Sequence, residues 1–171
     1  MTARKIAYRR EHTGTFAGDQ QQRSAQKAGF ELNAKEKRLQ VLENRAYVQL
    51  AANQTLAGSA GVYTTLLTTT ITTLLASGFL ILTFTASGTH PTTANATTYF
   101  KLLVDGAYVQ GAYVTNGIAN AAWTAAIVVR AAVTKGAHTV TLQWSTDNNS
   151  ARIAPLTSTN EHADLLVQEA A

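Results

Sequence analysis

From residue 79 onward the chain is a succession of short segments in which apolar and polar side chains alternate with a period of two. Phe79–Ala86 places Phe79, Ile81, Thr83 and Thr85 on one face and Leu80, Leu82, Phe84 and Ala86 on the other. Thr98–Val104 sets Phe100, Leu102 and Val104 against Tyr99, Lys101 and Leu103, and Asp105-Gly106 follows as a tight-turn signal. Trp123–Ala131 opposes Trp123, Ala125, Ile127 and Val129 to Thr124, Ala126, Val128 and Arg130; Lys135-Gly136 reads as the next turn. His138–Trp144 then presents His138, Val140, Leu142 and Trp144 on one side, and Arg152–Leu156 and Ala163–Glu169 complete the series. A period of two is the pattern of a half-buried strand, not of a helix. Weaker segments at Ala46–Ala52, Gly61–Thr65, Leu67–Leu75 and Ala107–Thr115 raise the expected number to about eight to ten strands. Turns at this spacing predict an all-β antiparallel sandwich. Two prolines and no second helical run disfavour an α/β fold.

Charge divides the chain. Residues 1–45 hold ten basic side chains against five acidic ones, whereas residues 46–171 hold four against five. The division predicts a basic N-terminal anchoring arm over 1–45 and a β-sandwich over 46–171. Only 14% of all residues are charged, but 46% are hydrophobic, which suffices for a packed core. The absence of cysteine excludes disulfides, thiolate metal sites and thiol catalysis. The first ten residues carry bases but no apolar run, so no secretory signal is expected. The longest apolar stretch, near Gly78–Phe84, is too short for a helix that crosses a membrane, and no membrane partner is expected.

Residues 1–24 have few large apolar groups, and alone they are expected to be extended and mobile. Arg4, Lys5, Arg9 and Arg10, with Ile6, Tyr8 and Phe16 as apolar anchors, are the candidates for attachment to a larger particle. Further on, Ala25, Leu32, Leu39 and Ala46 lie seven apart, with Ala28, Lys35 and Leu42 interleaved. Two readings fit. One is a short coiled-coil neck with Leu32, Leu39 and Leu42 in its seam; the other is a single short amphipathic helix, roughly Ala34–Tyr47, laid on the body. Gly29 and Lys35 count against a continuous helix.

Chemistry is hard to find. The histidines at 12, 90, 138 and 162 show no metal-ligand spacing, and His138 falls on an apolar strand face, as a core or subunit-axis histidine would. His90-Pro91 reads as a turn. Asp147-Asn148-Asn149 lacks the acidic count of a calcium loop. No serine lies in a Gly-x-Ser-x-Gly elbow, and there is no phosphate-binding glycine loop. Trp123 and Trp144 fall on strand faces that suit core packing. Neither enzymatic activity nor a metal or other cofactor is expected. Nucleic acid is disfavoured because acids dilute the basic arm and no groove-reading motif follows.

Three signatures in the body, Val104-Asp105-Gly106, Gly136-Ala137-His138-Thr139-Val140 and the terminal Leu165-Leu166-Val167-Gln168-Glu169, resemble those of jelly-roll domains in bacteriophage fibre, spike and capsid-decoration proteins. Such domains are similar in layout to the trimeric heads of the tumour-necrosis-factor and complement-head superfamily. Leu166 occupies a variable slot of the last signature. The resemblance covers residues 46–171 and implies an antiparallel jelly roll, a homotrimer and a place in a virion beside capsid, neck or tail proteins. Two functions stay open: a structural protein held on the particle by its arm, and a receptor-binding fibre head for a host glycan or surface protein. A hydrolase on the same scaffold would need a carboxylate or histidine constellation that the pattern does not display.

Overall fold

The computed structural model describes residues 3–56, 61–89, 94–147, 151–153 and 162–171, without the side chains of residues 3–17, 42 and 152. The chain forms a helix and eight strands: α1 (Ala3–Glu43), β1 (Arg45–Gln49), β2 (Gln54–Leu56), β3 (Thr64–Thr89), β4 (Ala96–Val104), β5 (Ala107–Asn116), β6 (Ala122–Thr146), β7 (Ala151–Ile153) and β8 (His162–Ala170). It divides into two units, Met1–Gln40 and Val41–Ala171.

The second unit is an antiparallel jelly-roll sandwich, built around two very long strands that each serve both layers. The C-terminal half of β3 pairs with the N-terminal half of β6 from Ser77↔Thr134 to Thr89↔Ala122. The N-terminal half of β3 pairs with the C-terminal half of β6 from Thr64↔Trp144 to Thr73↔Gly136. One layer therefore runs β1-β8-β3-β6 and the other β3-β6-β4-β5, with β8 on the first half-ladder and β4 on the second. The short pair β2–β7 closes one end against Thr89. A strand that passes from one layer to the other must bend, and both do so at the same level: β3 is irregular between Thr73 and Ser77, and Gly136 in β6 has φ 152°.

Alternation explains the core. Leu80, Leu82, Phe84, Leu102, Val140, Leu142, Leu165 and Val167 are fully buried, as the period of two requires. Phe84, Phe100 and Trp123 stack across the layers with ring centroids 5.1 and 5.6 Å apart. Asp105 and Gly106 (φ 51° and 81°) form the two-residue turn joining β4 and β5, both in the left-handed region that suits a hairpin.

Two local expectations change. Lys135-Gly136 is not a hairpin turn but the corner inside β6, which continues to Thr146. The N-terminal helix is far longer than Ala34–Tyr47. It starts at Ala3, takes in the stretch expected to be extended, and stops at Glu43, so that Ala46 and Tyr47 lie in β1. Glycines at 18 and 29 are accommodated at a cost of about 1 kcal/mol each in propensity.

The β3 corner is held by a carboxylate. Glu169 in β8 points inward in phase with Leu165 and Val167 and is 1% exposed. Its oxygens accept the Leu74 amide at 2.8 and 3.0 Å, the Leu75 amide at 2.8 Å, and the Asn44 side-chain amide. Asn44 also donates to the Thr72 carbonyl at 2.8 Å. Thr73 Oγ1 accepts the Gly136 amide at 3.0 Å and donates toward the Thr134 and Gly136 carbonyls at 2.7 and 3.1 Å. Glu169→Ala would strand these buried donors, at about 1–3 kcal/mol each. It is expected to lower the urea midpoint more than Thr73→Val, which removes one hydroxyl and costs about 1 kcal/mol. Chemical denaturation of the two variants beside wild type measures the order.

Candidate functional site

The anchoring candidates Arg4, Lys5, Ile6, Tyr8, Arg9, Arg10 and Phe16 all lie within the span of α1, and their side chains are outside the described residues. So is that of Leu42. The other two seam candidates, Leu32 and Leu39, are each 59% exposed, and Phe30 is 76% exposed. Every described side chain from 18 to 40 is exposed in the single chain.

His138 is the most constrained titratable group. Its Nδ1 lies 2.7 Å from Asp105 Oδ2 and its Nε2 2.8 Å from the Thr134 carbonyl. Both partners are acceptors, so this geometry is fully satisfied only when both ring nitrogens carry protons. The hydrogen bond to Asp105, then that to the Thr134 carbonyl, raises the histidine pKa above its ordinary 6.5. The same bond to His138 and one from the Thr139 amide lower Asp105 below 3.8. The Asp105 carboxylate also accepts the Thr139 amide at 2.8 Å, which fastens the β4–β5 turn to β6. His138 is a satisfied, buried strand histidine that holds a turn.

Sequence reasoning missed a second cluster. Ser87 and His162 stand opposite each other on β3 and β8, with Ser87 Oγ 2.9 Å from His162 Nδ1 and accepting the His162 amide at 3.1 Å. His162 Nε2 is 3.9 Å from Asp164 Oδ2, and Asp164 Oδ1 accepts the Tyr47 hydroxyl at 2.8 Å. The residue types match a hydrolytic triad, but the geometry is that of a strand clamp. Ser87 is 8% exposed, the carboxylate is engaged by Tyr47, and the histidine–aspartate contact is beyond hydrogen-bond reach. The partners lie 75 positions apart in the chain, and only strand register reveals them. Asp147 accepts the Thr97 amide at 2.9 Å and ties β4 to β6; Asn148, Asn149, His90 and Pro91 lie outside the described residues. Among the described residues no group of three His, Asp or Glu could hold a metal. No described helix is long and apolar enough to cross a membrane. Trp123 and Trp144 are core residues at 4% and 2% exposure.

The sandwich has two outward faces of different chemistry. On the β1-β8-β3-β6 layer, register aligns Tyr47, Leu166, Thr83 and Val128 in one row. Adjacent rows carry Ile81 with Arg130 and Phe79 with Ala132 and Ala170. Val128 on the edge strand is 71% exposed. Toward the corner this face runs past Phe79 into a groove of about 1120 Å³, whose walls include Phe79, Val104, Tyr108, Val109, Ala131 and Val133. On the opposite layer, Tyr113, Tyr99 and Ser145 form one row and Gly111, Lys101 and Gln143 the next. Tyr113 and Tyr108 are 70% and 65% exposed. The Tyr99 and Tyr113 rings are 6.3 Å apart, and the Lys101 ammonium sits 4.0 Å from the centre of the Tyr63 ring.

No known family model matches the chain, and no curated protein does. Solved structures give distant likenesses. A structure of the VP2 subviral particle of infectious bursal disease virus is 12% identical, with a TM-score of 0.45 over 74% of this chain and 32% of that one. Eiger TNF from S. frugiperda is 7% identical, with a TM-score of 0.44 over 74% and 93%. The EclA C-terminal domain, a sugar-binding protein, is 17% identical, with a TM-score of 0.36 over 72% and 77%. The chain spans about a third of the length of the bursal disease virus chains it matches, 37% and 32% in two of them. The jelly-roll class itself follows from the strand order described above.

The His138 geometry sets a pH dependence. Because the folded pKa is raised, the imidazolium stabilises fully below pH 6.5 and loses that contribution as pH rises through the raised value. Asp105 stabilises above pH 3.8 and loses its contribution as pH falls through its lowered value. The melting-temperature gap between wild type and His138→Leu should be widest between pH 3.8 and 6.5 and narrow on the alkaline side. A gap that widens as pH rises above 6.5 would contradict the assignment.

Proposed function

We propose that the protein is a non-enzymatic structural component of a bacteriophage particle. In this reading residues 1–45 attach it to capsid, neck or tail proteins, and residues 46–171 form the jelly-roll head of a homotrimer. The observation that carries the reading is one extended surface on the sandwich: a sheet face bearing Phe79, Ile81 and Leu166 that continues past Phe79 into a groove walled by Val104, Val109, Ala131 and Val133. Such a surface suits contact with further copies of the chain, and a contact whose rotation closes gives a finite ring. The exposed Leu32 and Leu39 in α1 support the same association, because a helix with this seam gains burial only against other copies. The virion setting is supported by the three turn-and-strand signatures of residues 104–106, 136–140 and 165–169. A receptor-binding head is the second reading, favoured by the exposed tyrosines of the opposite layer.

Light scattering of the purified protein is expected to give about three chains, and Val128→Glu, at a site 71% exposed, should reduce that mass while preserving β-sheet content. A wild-type monomer would overturn the trimer. Particle attachment separates the two units. Removing residues 1–40 should leave a folded head that no longer decorates particles, whereas removing 1–45 should also lower stability by deleting Asn44. Replacing Arg4, Lys5, Arg9 and Arg10 by Gln should weaken attachment most at low salt, where screening is least. Ile6, Tyr8 and Phe16 replaced together by Ala should weaken it at every salt concentration.

A further inference from the structure

We propose that the outward face of the β3-β6-β4-β5 layer is a binding site for an anionic saccharide, seated on Tyr99, Tyr108 and Tyr113 with its acidic group at Lys101. The site is a shallow cleft of about 220 Å³ whose walls include Tyr63, Tyr99, Lys101, Tyr108, Gly111 and Tyr113. That volume lies below the usual range for drug-sized ligands and suits a single ring or one unit of a chain.

Each part has a physical reason. Tyrosine presents a flat apolar ring and a polar tip, which matches the CH face and hydroxyl rim of a pyranose. Gly111 keeps the floor low: a Cβ there would come within 3.1 Å of the Tyr108 hydroxyl and 3.0 Å of the Phe100 carbonyl. A side chain there would press on the Tyr108 hydroxyl and the Phe100 carbonyl, which would have to give by a few tenths of an ångström. Lys101 is the only charged group among the described lining residues, and its position over the Tyr63 ring holds the ammonium at one place. Charge complementarity therefore selects an acidic sugar, such as a uronic or sialic acid, over a neutral or cationic one.

A second copy of the chain is the competing occupant. The other side of the sandwich offers that copy the larger aliphatic and aromatic side chains Phe79, Ile81, Leu166 and Val128, interspersed with Thr83 and Arg130. Tyr99, Tyr113 and Lys101 lie outside that surface, whereas Tyr108 stands between the two and also lines the groove beside Phe79. The inference rests on the trimer reading only in leaving this face uncovered.

The test is titration calorimetry of the full chain with trigalacturonic acid and sialyllactose as acidic probes, maltotriose as a neutral one and tripolyphosphate as an anion without a ring. Light scattering of each variant runs alongside. Binding of at least one acidic saccharide is expected, weaker or absent for maltotriose and tripolyphosphate. Tyr113→Ala and Tyr108→Ala should each weaken it about tenfold, and Lys101→Gln should remove the preference for acidic over neutral sugar. Both tyrosines are exposed, so their truncation leaves the core intact. Failure of both acidic saccharides at millimolar concentration overturns the proposal, as does equal binding by tripolyphosphate or unchanged affinity in both tyrosine variants. A fall in oligomer mass in the Tyr113→Ala variant also overturns it and assigns the face to self-association, whereas a wild-type monomer that still binds sugar overturns the trimer alone.

Discussion

Both layers of the sandwich share two strands, and those strands change layer at one level, so the fold depends on how that corner is held. Bending a strand breaks its ladder and leaves amides and carbonyls without cross-strand partners. The buried Glu169 carboxylate takes up the Leu74 and Leu75 amides, and Thr73 serves the backbone of β6 at Thr134 and Gly136. The Thr134 carbonyl also receives His138, whose other nitrogen grips Asp105 in the β4–β5 turn. One connected set of polar groups thus reaches the end of α1 through Asn44, the last strand, both corners and a hairpin. An isolated buried carboxylate would be strongly destabilising; this one has three amide-bearing residues around it and is tolerable for that reason.

The corner also decides what each face can do. It assigns the N-terminal half of β3 to the tyrosine layer and the C-terminal half to the layer with Phe79 and Ile81. One strand therefore contributes a threonine-rich surface and an apolar surface on opposite sides of the same core. Residues that look alike in the alternating pattern acquire different neighbours: Lys101 meets tyrosines, whereas Arg130 meets Phe79 at 3.9 Å.

The period of two was legible and correct wherever it was strong. It grouped Leu80, Leu82 and Phe84 on one face and Val140, Leu142 and Trp144 on another, and the structure turns both groups inward; that Glu169 points inward with Leu165 and Val167 emerges only from the structure. What it does not reveal is pairing. Lys135-Gly136 looks like a hairpin turn because glycine serves both a turn and a strand corner, and only the partner strand distinguishes them. Ser87 with His162, and Tyr99 with Tyr113, meet through register, a property of two segments together. The helix was underestimated for a different reason: Gly18 and Gly29 lower local propensity, and Lys35 interrupts the apolar seam and obscures the heptads. The 41-residue α1 continues through them.

The remaining problem for a sandwich of this composition is its edges. Strand edges are usually protected by charge, and the first half of β6 has only Arg130 between Ala122 and Thr134. That guanidinium lies over the Phe79 ring, turned across the face of its own sheet. An edge so lightly charged, with Val128 71% exposed, favours ordered contact with another surface over free solvation. In the trimer proposed above, a copy of the same chain would supply that surface, and closed symmetry would limit growth to a finite assembly. The same proposal accounts for the scarcity of charge in residues 46–171: side chains buried between subunits would lose hydration if they were charged, and threonine and alanine avoid that cost.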